Sequence, residues 1–482
     1  MANAKIERGN TNLAVKAGIW YVLSTFLTKG LAFITTPIFA RLMTSADYGE
    51  FSNYANWQSM LLIIVSAELY NTLSRAYYDF TDEYDQYVSS VTVATCGITA
   101  IFYVLFLLCR KWIFNIVSIP PQFVHILFFT MMFQGCKSVY LTRERTLYRY
   151  KSVALISVLS LVVPTLISVV LVVNMPESSH LSARIYGFYV PYALLGVYCA
   201  AVLLFKGKTF KWAHFKYAIV LAIPLLVHYL TAYILSSGNT IVAKSVLGAQ
   251  TAAIVSIATS VMNILTMLFQ AVTGAMTTWL MDNLQQERIQ TVRRGSLVIS
   301  ACAGLVVLGV MLLGPEVVWV LGGAKYAEAV TLIPGLATSI FIQTITTIFT
   351  VILTYDKNIA KTAVYTGIVA VVSIALKVLL VAKFGYMALP YVNIAAFAVL
   401  FFISYLLVRK AGYGKFVNLK GMVLSIVVIL VMMVVCSLLY QNTMVRYGLI
   451  LVMAIAAAVI LWKTKAVWMK LLKKKKLRKK EA

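Results

Sequence analysis

The sequence predicts an all-α integral membrane protein with about 14 transmembrane helices of ~20 residues each. Three observations carry that expectation. The 482 residues are 61% hydrophobic with a mean hydropathy of +0.86. Only 12% are charged, about half the share usual in soluble domains, which leaves too little polar surface to cover a water-soluble fold. Apolar runs near the length of a bilayer crossing recur along the whole chain, and none of the connecting segments is long enough to hold a soluble domain.

In chain order the expected spans lie near 14–39, 48–71, 88–109, 122–141, 152–173, 184–205 and 216–237. The series continues near 249–273, 296–314, 329–353, 363–382, 386–408, 419–440 and 447–463. The first is too long for a signal-peptide core and lacks a small-residue cleavage site, so it reads as an uncleaved helix. An even number of spans puts both termini on one side. Most of the 42 Lys and Arg residues fall at the termini and even-numbered loops, as in Thr142–Lys151, Lys206–Lys216 and Arg409–Lys420. Basic loops stay cytoplasmic, so both termini are expected there. The tail Lys470–Ala482 supplies much of the net charge of +26. Directly after a span it reads as an anchor on the anionic inner leaflet, with no nucleic acid partner.

A repeat divides the chain. Ile38–Phe39–Ala40–Arg41 followed by Ala46 and Ala55 matches Ile241–Val242–Ala243–Lys244 followed by Ala249 and Ala258 at a constant offset of 203 residues. Both segments close a span, the first and the seventh, and six helices apart gives the same orientation. This is a parallel repeat, a plan by which transporters place substrate between two halves. The expected organisation is an N-terminal lobe over 1–213, a C-terminal lobe over 214–410, two further helices over 411–465 and a cytoplasmic polybasic tail over 466–482.

Catalytic chemistry is poorly represented. Gly207–Lys208–Thr209 resembles the end of a phosphate-binding loop, but Val202 stands where the motif needs glycine. There is no HExxH or GxSxG among the four histidines and the serines. The six cysteines form no CxxC pair, so neither metal nor cofactor is expected. Work must come from a gradient, the membrane potential or the substrate's downhill path.

The ionisable residues within spans are the functional candidates, because charge in the bilayer is costly and usually faces a cavity. Lys29 lies about 15 residues into its helix, roughly 22 Å at 1.5 Å per residue, too deep for an easy reach to water. Lys137 and Lys377 sit nearer span ends, where snorkelling competes with a cavity role. Glu68 and Arg75 read as a helix-end pair or a polar site, and His228 as a hydrogen-bonded histidine between helices or a ligand. Lysines outnumber deep carboxylates, which favours an anionic substrate over a cation. Pro37, Pro164, Pro191, Pro224, Pro334 and Pro390 fall inside spans, and each is expected to kink its helix as a hinge or as a static bend.

Several motifs resemble those of one family. Pro37–Ile–Phe–Ala–Arg41–Leu with Ala46–Asp–Tyr–Gly–Glu–Phe51 resembles the first outer loop of bacterial polysaccharide repeat-unit flippases, for O-antigen, capsule or exopolysaccharide. These belong to the multidrug/oligosaccharidyl-lipid/polysaccharide exporter superfamily. Ala222–Ile–Pro–Leu–Leu226, Gly322–Gly–Ala–Lys–Tyr–Ala–Glu–Ala329 and Lys383–Phe–Gly–Tyr386 resemble further family segments, in the right order across nearly the whole chain. The resemblance implies two six-helix lobes and two extra helices around a cationic cavity in the bacterial cytoplasmic membrane. It implies an undecaprenyl-pyrophosphate-linked oligosaccharide as substrate, with Lys29 meeting the pyrophosphate and Arg41 and Lys244 holding the anion near the outer mouth. The protein would work as a monomer, with its loops open to a polysaccharide polymerase or glycosyltransferases. Two departures stand out. Ser236–Ser–Gly–Asn239–Thr240 replaces an acidic–basic pair, which makes Asn239 a candidate, and Lys377 stands where relatives commonly carry asparagine. The alternatives are a multidrug/cation antiporter of the same superfamily, a flippase for the peptidoglycan precursor, and a membrane glycosyl polymerase or ligase, which would want a long outer loop.

Overall fold

A computed structural model describes residues 20, 30, 34–110, 117–356, 359–452 and 455, and among these there is no strand. Residues 34–42 are helical. Then follow α1 (Ser45–Val65), the short α2 (Leu73–Asp79), α3 (Tyr84–Leu108), α4 (Val124–Thr146), α5 (Tyr150–Asn174) and α6 (His180–Gly207). The second half holds α7 (Trp212–Leu247), α8 (Ala249–Gln285), α9 (Ile289–Leu312), the short α10 (Gly314–Gly322), α11 (Ile333–Tyr355), α12 (Ile359–Phe384), α13 (Ala388–Lys410) and α14 (Leu419–Leu439). Among the described residues nine helices are long and apolar enough to cross a membrane, and ten if bent α7 counts as one span. The expected first and last spans lie largely outside the described residues.

Local chemistry sets the element ends. Thr44 caps α1 by accepting from the Asp47 backbone N–H, and its hydroxyl donates to the Asp47 carboxylate at 2.8 Å. Asn418 caps α14 in the same way through Gly421 N–H at 3.2 Å. Between α7 and α8 the chain reverses in one residue, Gly248, whose φ of 92° suits glycine.

Two bundles result. In the first, α4 packs on α6, α5 on α6, and α3 on both α4 and α6. Its core contains Tyr87, Leu69 and Leu203 around one centre and Tyr54, Phe123 and Met131 around another. In the second, α11 packs on α8 and α13, and α12 on α7 and α13, around Phe341, Phe349 and Phe401. Helices α9 and α14 lie against each other and against α11. Helix α14 is apolar all round and little buried, as a lipid-facing helix should be.

The bundles meet where α1 runs against α7 and α8. Helix α7 belongs to both cores: Ala218 and Ala222 pack with Tyr87 and Leu203, whereas Leu235, Val242 and Ala243 pack with the second bundle. The helix bends by 40° between Ile223 and Leu225, at Pro224. Pro164 and Pro191 also lie inside helices. Pro334 and Pro390 do not behave as expected. They occupy the first turns of α11 and α13, where backbone N–H groups have no helical acceptor to lose, so no kink follows. Pro390 instead fills the space above Gly335.

At the bundle junction, a Cβ on Gly49 would lie 1.8 Å from the Ala249 carbonyl oxygen, so α1 and α8 touch backbone to backbone. Ser256 donates to the Ser52 hydroxyl across the same seam at 2.9 Å. Cysteines at positions 52 and 256 are therefore expected to cross-link under mild oxidation. Adding Gly49→Val should cut the cross-linked fraction several-fold and cost about 1–3 kcal/mol of stability by overpacking. Unchanged cross-linking would show that the seam does not need the glycine.

Candidate functional site

A cavity of about 650 Å³ opens beside the bundle junction. It is walled by α7, α8, α11 and α13, with residue 30 and Thr36 of the preceding segment on its border. Its lining is mostly apolar, with Leu235, Met262, Ile340 and Phe397 among others, and carries no charged side chain among the described residues; Asn239, Asn263, Gln270, Gln343 and Asn393 are set into it with Ser and Thr residues between them. On α8 the polar positions Thr259, Asn263, Thr266 and Gln270 recur at helical spacing and form one stripe on an otherwise apolar span. The Asn239 and Asn393 side chains are almost fully buried, and their Oδ1 atoms have no hydrogen-bond donor. Buried carbonyl oxygens left unpaired cost about 1–3 kcal/mol each.

The expected cations are not gathered on this lining. Lys29 lies outside the described residues; its neighbour Gly30 borders the cavity. Arg41 is exposed and donates to the carbonyls of Val320 at 3.1 Å and Pro37 at 3.4 Å. Lys244 is ion-paired with Glu50 of α1, and Lys325 donates to the Met43 carbonyl at 2.6 Å. These three contacts join the first bundle's leading segment to the second bundle at one end of the junction. The repeat is reproduced there only in part, because the position 203 residues after Glu50 is Ala253, which is buried and offers Arg41 no carboxylate.

Lys137 is buried in the first bundle with its ammonium 3.7 Å from the Tyr192 ring centroid. Glu68 is buried at a left-handed backbone position after α1 and accepts from Asn71 at 2.6 Å. Arg75 is exposed and pairs with Asp79 at 3.4 Å. For His228 only the backbone, within α7, is described. Among the described side chains, Asn239 is the polar sequence candidate that borders the cavity.

Lys377 is fully buried on α12, and its Nζ has no hydrogen-bond partner; Ser373, one turn before it, is buried with an unpartnered hydroxyl. At the other end of α7, Lys211 pairs with Glu83 at 2.7 Å, and Tyr217 donates to Asp79. The Lys211 ammonium holds the Glu83 carboxyl below the usual carboxylate range. The stability this lends is present above the ordinary carboxylate pKa and is lost as pH falls through the depressed one.

Two features escaped the sequence reading. Arg184, at the start of a span in the sequence, is buried, stacked over Phe39 at 3.5 Å and Phe51 at 4.3 Å, and donates to Ser168 at 2.9 Å. The carboxamides of the lining carry no charge and so leave no ionisable signature in the sequence; the polar stripe on α8 is the signal that marks them.

A family model described as polysaccharide biosynthesis protein matches residues 14–277. No curated protein matches the chain in sequence. Among solved structures the fold is similar to the lipid II flippase MurJ in its inward closed conformation, with a TM-score of 0.69 and 13% identity, over 92% of this chain and 99% of that one. It is also similar to a multidrug resistance MATE family transporter of the MOP superfamily. The inward-facing form gives a TM-score of 0.57 at 14% identity, over 78% of this chain and 96% of that one. The outward-facing form gives 0.57 at 12%, over 84% and 96%. At these identities the likeness is one of fold.

The unpartnered ammonium of Lys377 has a direct consequence. Lys377→Met should stabilise the purified protein by about 1–3 kcal/mol, because methionine fills similar space without a buried polar group to satisfy. A lower melting temperature would mean that the lysine has a partner in solution.

Proposed function

The chain belongs to the polysaccharide biosynthesis protein family, and we propose that it is a flippase for undecaprenyl-pyrophosphate-linked oligosaccharide repeat units. The units would pass from the inner to the outer leaflet of a bacterial cytoplasmic membrane, with both termini cytoplasmic. The observation that supports this reading is the cavity: about 650 Å³ of largely apolar space with carboxamides and hydroxyls set into its wall, beside the junction of two bundles. That size falls in the range of ligand pockets, and polar groups at membrane depth are kept for a substrate path.

Alternating access supplies the mechanism. The Arg41, Lys244 and Lys325 contacts hold the bundles together at what the basic-loop pattern assigns as the outer end. Helix α7 is rooted in both cores and bent at Pro224, so rocking one bundle against the other concentrates strain at that residue. Opening the outer end means exchanging the Lys244–Glu50 pair and two carbonyl contacts for water or substrate. Lys29, next to cavity-bordering Gly30, is the residue we assign to the pyrophosphate, since an ammonium is a strong point-charge partner for phosphate.

A drug/cation antiporter is disfavoured because no carboxylate lines the cavity among the described residues. A flippase for the peptidoglycan precursor is the second reading, favoured by the fold likeness to the lipid II flippase MurJ.

Deleting the gene should leave an undecaprenyl-pyrophosphate oligosaccharide unpolymerised on the cytoplasmic face, with surface polymer lost; lipid extraction and mass spectrometry read this directly. Absence of the intermediate together with new sensitivity to cationic drugs would overturn the flippase reading. In the same cells Lys29→Ala should reduce polymer at least tenfold at equal protein abundance, and Lys29→Arg should retain most of it. Wild-type polymer in Lys29→Ala would remove Lys29 from the anion path.

A further inference from the structure

We infer that a groove between α12 and α13 holds the acyl chain of an anionic phospholipid, with the lipid phosphate on Lys383. This goes beyond the flippase reading and does not depend on it.

Helices α12 and α13 form a hairpin. Both contain stretches long and apolar enough to cross a membrane. The chain reverses between them at Gly385, whose φ of 72° suits glycine. The turn therefore lies at one membrane surface, the one that the basic-loop pattern assigns as outer. Leu376, Leu380 and Phe384 recur at helical spacing along α12, and Ala388, Val392 and Ala395 do so along α13. Each set forms one stripe on its helix. The two stripes wall a groove of about 390 Å³ that begins at the turn and is almost wholly apolar. Ala388 and Val392 are buried in its floor, whereas Leu376 and Phe384 stay exposed at its rim.

Depth and charge choose the occupant. From Phe384 to Leu376 is eight residues, about 12 Å of helix at 1.5 Å each. One leaflet of a ~30 Å hydrocarbon core is about 15 Å deep. The groove is thus nearly as long as the acyl chain of one leaflet reaches, and a polyprenyl chain, several times longer, would overrun it. At its head stands Lys383, exposed in the last turn of α12, with its ammonium 5.4 Å from the Phe384 ring centroid. Because Phe384 itself borders the apolar space, the cation and the groove form one site. An ammonium at the membrane surface is a point-charge partner for a lipid phosphate. The carboxylate that meets this turn, Glu328, accepts from the Tyr386 hydroxyl at 3.1 Å. A second copy of the chain could cover apolar surface but would bring no phosphate to Lys383. Helix α12 also packs along α7, so a seated lipid braces the hairpin against the bent helix.

The test uses the full-length chain in phosphatidylcholine nanodiscs and a phosphatidylglycerol probe with a diazirine in mid-chain. After photolysis, peptide mapping should place label between Leu376 and Ala395. A phosphatidylcholine probe with the same chain should label there about fivefold less, the weight of one basic residue at a lipid surface. Lys383→Glu should remove that difference and Lys383→Arg should keep it. Ala395→Phe, which fills the groove from an exposed position, should cut labelling by both probes. Equal labelling by the two headgroups, a preference that survives Lys383→Glu, or labelling indifferent to Ala395→Phe would overturn the inference. So would displacement of the probe by an equal dose of undecaprenyl phosphate, which would give the groove to a carrier lipid. An unlabelled groove in a chain that cross-links there as a dimer would give it to a second copy and overturn the inference too. Polymer export in cells is not the readout, so failure here leaves the flippase reading standing.

Discussion

Within the bilayer there is no water to complete a polar group, and the arrangement of this protein follows from that. Backbone groups are satisfied inside helices. Bulky apolar side chains face lipid, and close helix contacts are made by small residues such as Gly49 against Ala249 and Gly196 against Phe133. Charged contacts sit at helix ends, Lys244–Glu50 between the bundles and Lys211–Glu83 within the first. Polar atoms left unpaired at depth are therefore informative. Asn239 and Asn393 border the cavity, and Lys377 with Ser373 forms a second unpaired group on α12.

The two bundles are mechanically joined through α7. Its first half packs against Tyr87 and Leu203, and its second half against α1, α8 and α12. A helix shared between two cores transmits any rotation of one to the other, and the bend at Pro224 concentrates the compliance at one place. The boundary between lobes is therefore a point within a helix as much as a loop between helices.

Much of this architecture was legible in the sequence. Span length and hydropathy identify the class, and the Arg41/Lys244 repeat locates one end of the junction, because both depend on patterns that lipid imposes locally. The site was less legible. Ionisable residues draw attention by their cost, yet Lys137 is absorbed by Tyr192 and Glu68 by Asn71, partners that are distant in the chain or tied to a local turn. Arg184 lies at the start of a span in the sequence, and the tertiary placement of Phe39 and Phe51 shows it to be enclosed. Pro334 and Pro390 looked like kinks because helix starts could not be placed to within a turn. The cavity lining draws on four helices, so no single segment announces it.

The broken symmetry at the junction bears on turnover. A duplicated fold could have carried the Lys244–Glu50 pair twice, once across each face of the repeat. Ala253 removes the second copy. That end of the junction is then held by one partly exposed ion pair, worth about 1 kcal/mol or less, and by charged donors on two carbonyls, Arg41 on Val320 and Lys325 on Met43. On the proposed flippase reading the two faces must stay close in free energy, since the less populated face is reached only by fluctuation. There a second ion pair would deepen one basin and slow the cycle, and the alanine opposite Arg41 would act as a counterweight that keeps the balance near level.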